Sequence, residues 1–327
     1  ISQDMEKEIE TYLHGSKTLE RVDSVDLGNV IYTQRHEEYL THLIESVKHR
    51  FDGLKIVLDM ANGATSQLAA TLFESLGAQV IAMYQEPNGL NINRFCGSTE
   101  PKLLMEKVLS EKADIGFAFD GDGDRCMAVD RHGKLIDGDG LIYVLARFLK
   151  DQNKLHNDGI SVTVMANLGF IKSCEKMGLA VHLTDVGDRH VAASMEKNEF
   201  SLGGEQSGHI ILQDYATTGD GMLTAIKVTE AIVYYGKDLD QILKECVKYP
   251  QTLEKVVVDD KHSVMENPVL LKEYEKIQNR LEGEGRILVR ASGTESVIRV
   301  MVESPDMKLC ETLSSDMIKV INNIQNG

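Results

Sequence analysis

Three carboxylates stand at alternate positions in Phe119-Asp120-Gly121-Asp122-Gly123-Asp124-Arg125. Alternate residues of an extended segment point the same way, and the intervening glycines let the backbone curl until Asp120, Asp122 and Asp124 converge. Anionic oxygens so crowded repel one another unless a cation joins them, and hard oxygen donors favour Mg²⁺. An EF-hand is excluded, because Arg125 and Arg131 fall where that loop needs Gly and Glu. The plain alternative is an exposed acidic turn, since Asp-Gly pairs are common in turns.

A second group lies in Gly203-Gly204-Glu205-Gln206-Ser207-Gly208-His209. In an extended loop Glu205 and Ser207 share a face, so a carboxylate and a hydroxyl can grip neighbouring sugar hydroxyls. A Gly-rich hairpin with a polar tip would look the same. The third group is Arg290-Ala291-Ser292-Gly293-Thr294-Glu295, with Arg299 just beyond. Backbone N–H groups of a Ser-Gly-Thr turn, two hydroxyls and two guanidinium groups make a phosphate cradle. A surface hairpin with incidental charge is the competing reading.

The surrounding pattern is α/β. Residues 1–15 read as a short helix with Met5, Ile9 and Leu13 on one face and Gly15 as its stop. Residues 19–34 are a polar linker, and Leu40, Leu43, Ile44 and Val47 mark a second helix. A strand at 55–58, a turn at 61–64, a helix at 66–76 and a strand at 79–83 form a strand-helix-strand unit. A faint echo follows about a hundred residues later, from Asp158-Gly159 to Ala166-Asn167. The acidic triplet follows a predicted strand at 115–119, the end at which α/β sheets place ligands. Pro250 marks a last boundary, before a strand, a helix at 270–281, two strands and a C-terminal helix. The expectation is tandem mixed α/β domains with βαβ crossovers, then a small α+β C-terminal domain. Their bounds are placed at 27–132 (metal), 133–249 (sugar) and 250–327 (phosphate), with 1–26 as a tail and linker.

The 327 residues carry a formal charge of −16. Such a field repels nucleic acid and anionic membrane surfaces, so an anionic ligand must be held by a few local arginines. No apolar run approaches the ~20 residues of a membrane span. Five scattered cysteines without a CxxC pair argue against a disulfide framework or zinc site and fit a reducing cytoplasm.

Taken in this order, the three loops resemble those of the α-D-phosphohexomutase family: DGDGDR its metal loop, GEQSGH its sugar loop, RASGTES its phosphate loop. Pro87-Asn88-Gly89-Leu90-Asn91-Ile92-Asn93 and Thr217-Thr218-Gly219-Asp220-Gly221 are similar to the bacterial amino-sugar branch, which interconverts the 6- and 1-phosphates of glucosamine. The resemblance implies that Asp120, Asp122 and Asp124 hold Mg²⁺ and that Arg125 faces the transferring phosphate. It implies that Glu205 and Ser207 bind sugar hydroxyls with His209 nearby, and that Arg290, Ser292, Gly293, Thr294 and Arg299 hold the unreacting phosphate. Gly187, Asp188 and Arg189 match a further loop beside the substrate, although Asp188 and Arg189 read more simply as a helix cap and a surface pair. A sugar-phosphate substrate, a hexosamine 1,6-bisphosphate as activator or intermediate, and a cytoplasmic location follow from the same resemblance. A homodimer is compatible with it.

Two departures stand out. Ala291 and Ser296 replace prolines usual in the family, each forgoing roughly 0.4–1 kcal/mol of unfolded-state restriction. The family's phosphoserine lies in a Ser-His-Asn-Pro loop, and no such string occurs in this sequence. The expectation is a chain lacking the serine-bearing N-terminal domain and inactive alone. Three rivals remain: a phosphomannomutase or phosphoglucomutase of the same family, a haloacid-dehalogenase-type phosphatase with Asp120 as nucleophile, and a non-catalytic sugar-phosphate binding module.

Overall fold

The computed structural model describes every residue except 1, 20, 22, 24–26, 293, 294 and 327. Two expected phosphate ligands, Gly293 and Thr294, therefore lie outside the described residues. The chain divides into two compact units, Ile1–Tyr39 and Leu40–Gly327. The first contains α1 (Gln3–Leu13), started by the Ser2 hydroxyl accepting from the Met5 N–H and ended near Gly15 at φ +73°. Helix α2 (His36–Ser46) follows.

The larger unit holds three sheets. In the first, β1 (Lys55–Asp59), α3 (Ala69–Ser75), β2 (Gln79–Met83), α4 (Lys102–Glu111) and β3 (Ile115–Phe119) are joined by crossovers, with β4 (Cys126–Asp130) and β5 (Leu135–Ile136) closing one edge. The order is β2-β1-β3-β4-β5, parallel across β2, β1 and β3 and antiparallel beyond. All five residues of β3 are buried, as the near-continuous apolar run of an inner parallel strand requires. The helix expected at 66–76 breaks at Leu68 into a 3₁₀ turn, Ala64–Gln67, and α3, where the Leu68 N–H donates to Thr65 O and Leu68 O accepts from Leu72 N–H. Strand β5 belongs to this sheet although it lies past residue 132.

The second sheet repeats the plan. After α5 (Gly138–Asp151) come β6 (Gly159–Thr163), α6 (Leu168–Lys176), β7 (Ala180–Thr184), α7 (Asp188–Asn198), β8 (Leu202–Gly204) and β9 (Ile210–Leu212). Their order, β7-β6-β8-β9, reproduces the first sheet's opening order, with the last pair again antiparallel. The faint sequence echo is thus a repeated topology. Helix α8 (Gly221–Tyr235) packs on α5 and on β3 and β4. It buries a Lys227–Glu230 ion pair at 2.8 Å, with Glu230 accepting the Lys48 N–H. Helix α9 (Leu239–Ile242) leads towards the third sheet.

That sheet is antiparallel, β10-β12-β11, from β10 (Gln251–Val257), β11 (Arg286–Ala291) and β12 (Val297–Glu303). Helices α10 (Lys261–Met265), α11 (Pro268–Arg280) and α12 (Met307–Asn326) lie with it. Alternate strand residues Val256, Ile298, Val300 and Val302 point to one face and meet Ile277, Leu313 and Met317 in one core.

Candidate active site

The acidic loop joins β3 to the antiparallel β4, so the strand pair fixes both of its ends. Its middle is fastened by backbone bonds: Ala64 N–H donates to Gly121 O and Gly221 N–H to Gly123 O, each at 2.9 Å. The first bond needs close approach, since a Cβ on Gly63 would overlap the Gly121 carbonyl. So fixed, Asp120, Asp122 and Asp124 bring ligand oxygens within 4.8 Å of one another. Asp120 is buried, Asp122 exposed and Asp124 between them. Burial, with Asp122 and Asp124 beside it, pushes the Asp120 carboxyl up to about 7. The Arg125 Nε lies 3.8 Å from both Asp120 Oδ2 and Asp124 Oδ1. Asp124 Oδ1 is buried without a hydrogen-bond partner among the described residues. A buried carboxylate oxygen without a hydrogen bond, among converging carboxylates, suits a hard divalent cation, so these residues fit Mg²⁺.

The sugar loop is the turn of the β8–β9 hairpin. The Gly187 N–H donates to Glu205 Oε1 at 3.0 Å and the Ser207 hydroxyl to Glu205 Oε2 at 3.1 Å. Glu205 and Ser207 therefore share a face and also hold each other. They border a cavity of about 400 Å³ with Met127, Thr163, Met165 and Val186. The two loops meet through a β-bridge between Arg125 and His209 and a 3.0 Å bond from Cys126 N–H to Gly208 O. His209, expected near the sugar, also touches the DGDGDR loop, with Nδ1 3.0 Å from Asp124 Oδ2.

Gly187, with φ +127°, stands at the cap position of α7, so the cap expected at Asp188 falls one residue earlier. A Cβ would strain that backbone. Asp188 begins the helix and its carboxylate accepts the Arg189 N–H.

Arg290 and Arg299 are paired residues on β11 and β12. Like charges so placed repel, which an anion between them would relieve. Arg299 Nη2 donates to Glu295 at 3.0 Å while its Nε is buried without a partner among the described residues. Ser292 N–H closes the turn on Val297 O at 2.9 Å. Among the described residues, no hydrogen bond joins Arg290, Ser292 or Arg299 to the metal or sugar loop.

Sequence reasoning missed three residues. Lys248 and Gln251, flanking Pro250, reach the cavity beside Glu205 and Ser207; only their place at an interdomain boundary hinted at this. Asp139, in a second Asp-Gly-Asp-Gly string, accepts from Gln206 Nε2 at 3.2 Å and Asn167 N–H at 2.8 Å. It thereby supports the sugar loop from beneath.

Tandem α/β units, a carboxylate triplet at a strand end and a cavity at the β8–β9 turn define a class. Residues 37–133, 137–249 and 253–320 match, respectively, alpha/beta/alpha domain II, alpha/beta/alpha domain III and the C-terminal domain of phosphoglucomutase/phosphomannomutase. The chain belongs to that family. The phosphoglucosamine mutase of Brevibacillus brevis is 46% identical over 323 residues, 98% of this chain and 72% of that protein. That of Geobacillus thermodenitrificans is 45% identical with the same 98% and 72% coverage. A phosphoglucomutase/phosphomannomutase family protein from Burkholderia thailandensis superposes with a TM-score of 0.73 at 21% identity, covering 90% of this chain and 65% of that one. Aspergillus fumigatus N-acetylphosphoglucosamine mutase, solved with GlcNAc-6P and magnesium, gives a TM-score of 0.71 at 20% identity, covering 87% and 68%. At these identities the structural likeness speaks for the fold.

Proposed function

We propose that this chain carries the metal, sugar and phosphate sites of a phosphoglucosamine mutase, an isomerase that converts glucosamine 6-phosphate to glucosamine 1-phosphate through the 1,6-bisphosphate. The observation that carries this reading is the Arg125–His209 bridge. It sets the loop of the carboxylate triplet against the Glu205–Ser207 hairpin, which supports reading them as one site, in a chain 46% identical to a protein of that name. Residues 27–132 together with β5, the rest of 133–249, and 250–327 are assigned as the metal, sugar and phosphate domains. Five free thiols favour a cytoplasmic setting.

In this mechanism Arg290, Ser292, Gly293, Thr294 and Arg299 hold whichever phosphate is not reacting. Glu205 and Ser207 grip ring hydroxyls that keep their place when the sugar turns round. Arg125 faces the phosphoryl group in transfer, where positioned charge supplies most of the catalysis. Asp120, Asp122 and Asp124 would hold Mg²⁺, which would supply neutralisation of phosphoryl charge. The transfer itself needs a phosphoserine: the sugar O1 hydroxyl takes its phosphoryl group while the freed serine Oγ takes up a proton, and in the second transfer the O6 phosphoryl group passes to the serine, whose proton leaves and is made up at O6 as a hydroxyl. Ser-His-Asn-Pro does not occur in the 327 residues. These residues alone should therefore bind sugar phosphate without forming the 1-phosphate, as phosphorus NMR would record.

Calorimetry with glucosamine 6-phosphate, glucose 6-phosphate and mannose 6-phosphate tests the substrate. The amino sugar should bind most tightly, and Glu205→Ala should weaken it by about tenfold or more. Equal binding of all three would instead favour a phosphomannomutase or phosphoglucomutase.

A further inference from the structure

His209 is 4% exposed, and both of its ring nitrogens have partners. Nε2 lies 3.2 Å from the Gly219 backbone nitrogen, which can only donate. Nε2 must therefore be the bare nitrogen, and Nδ1 carries the ring proton. That proton points at Asp124 Oδ2, 3.0 Å away. One tautomer is thus selected by a backbone N–H, and it makes His209 a donor to one oxygen of a metal-loop carboxylate. The other oxygen, Asp124 Oδ1, is buried and has no hydrogen-bond partner among the described residues, its charged neighbour being Arg125 Nε at 3.8 Å.

The contact depends on glycine at 219. A Cβ there would overlap the imidazole, touching Nδ1, Cε1 and Nε2. Two residues on, Gly221 donates its N–H to Gly123 O, and a Cβ at 221 would meet the Arg125 and Gly123 carbonyls at 2.6 and 2.8 Å. The Gly219-Asp220-Gly221 segment, which leads into α8, therefore seats both the metal loop and the histidine.

We infer that His209, set by Gly219, is a positioning residue that occupies Asp124 Oδ2 and reserves Asp124 Oδ1 for the cation. The inference rests on the metal reading above and adds to it a residue that touches no metal. It places His209 behind the triplet, where an outer hydrogen bond orients a ligand. It also gives the Gly219-Asp220-Gly221 string a task.

The test is binding of Mn²⁺ to the full 327-residue chain, with free ion counted by electron paramagnetic resonance. Mn²⁺ accepts the same oxygen donors as Mg²⁺. His209→Asn keeps an amide N–H where Nδ1 stands, whereas His209→Gln places its amide near Nε2. His209→Asn should bind within about threefold of the unmodified chain, and His209→Gln and Gly219→Ala at least about tenfold more weakly. A merely structural histidine would not distinguish Asn from Gln once thermal melts show both folded. If His209→Gln binds as tightly as His209→Asn, the inference is overturned. If His209→Gln does not fold, Gly219→Ala decides, since it leaves every ligand side chain in place, and undiminished affinity there overturns the inference. Asp122→Ala separates the two levels. Unchanged Mn²⁺ binding in that variant sinks the metal reading itself, whereas lost binding there with equal Asn and Gln variants sinks only the role given to His209.

Discussion

Arg286 and Glu303 face each other across β11 and β12, and the Glu303 carboxylate, wholly buried, accepts from Arg286 Nε at 2.6 Å. It also takes the Asn167 amide at 3.1 Å and the Leu168 N–H at 3.2 Å, which ties the third sheet to the start of α6. Removing one partner of a buried pair strands the other. Glu303→Ala should therefore lower unfolding free energy by about 3–5 kcal/mol in urea titrations. Glu303→Gln, which keeps acceptor oxygen but no charge, should cost less. A loss under ~1 kcal/mol for Glu303→Ala would mean that water replaces these bonds.

Asp139 makes stability depend on pH. It is 2% exposed, and burial first, then the neighbouring Asp137 charge, pushes its carboxyl from the ordinary 3.8 up to about 7. A carboxyl raised on folding stabilises the native state below its unfolded pKa. That contribution is lost as pH rises through the folded value, here between about 4 and about 7. Asp139→Asn never ionises, so it should gain on the parent chain over that window. The gain should reach roughly 4 kcal/mol at most. Urea midpoints of both proteins at pH 5 and pH 8 check this, and a constant difference would show that Asp139 ionises without penalty.

The Arg290–Arg299 pair should give phosphate affinity at a small cost in the ligand-free state. Either Arg→Ala change removes a charge-assisted contact worth roughly 1.5–3 kcal/mol, so inorganic phosphate should bind about tenfold or more weakly. Without phosphate, relief of like charge should leave the melting temperature unchanged or higher. Calorimetry with phosphate should find Glu205→Ala unaffected. Equal losses in all three variants would contradict the division of labour between the loops.

Asp122 is the exposed member of the triplet, so its removal opens no cavity and relieves repulsion. In a chelating buffer Asp122→Ala should melt at or above the parent temperature. In millimolar Mg²⁺ it should lose the parent's metal-dependent rise. A drop in both buffers would make Asp122 a structural residue.

Much of this molecule was legible in its sequence. Strand β3 runs over Ile115–Phe119, as the apolar run ahead of the triplet predicted, and the echo at Asp158-Gly159 became a second sheet of matching order. Such features are local, because strand patterning and Asp-Gly turns act over a few neighbours. The spacing of the carboxylate triplet is local in the same way, while the bonds from Ala64 and Gly221 that fasten its loop come from distant segments. What only the tertiary structure decided lies between distant segments. His209 and Asp124 are 85 residues apart, and nothing in either string says which nitrogen faces which oxygen. That follows from how the β8–β9 hairpin docks on the β3–β4 turn, with Gly208 on Cys126 and Gly219 on the imidazole ring. Gly187 reaching Glu205 and Asp139 supporting Gln206 arise likewise. Chain propensities set each loop's own shape, while close packing and the need to satisfy buried polar groups choose its partners.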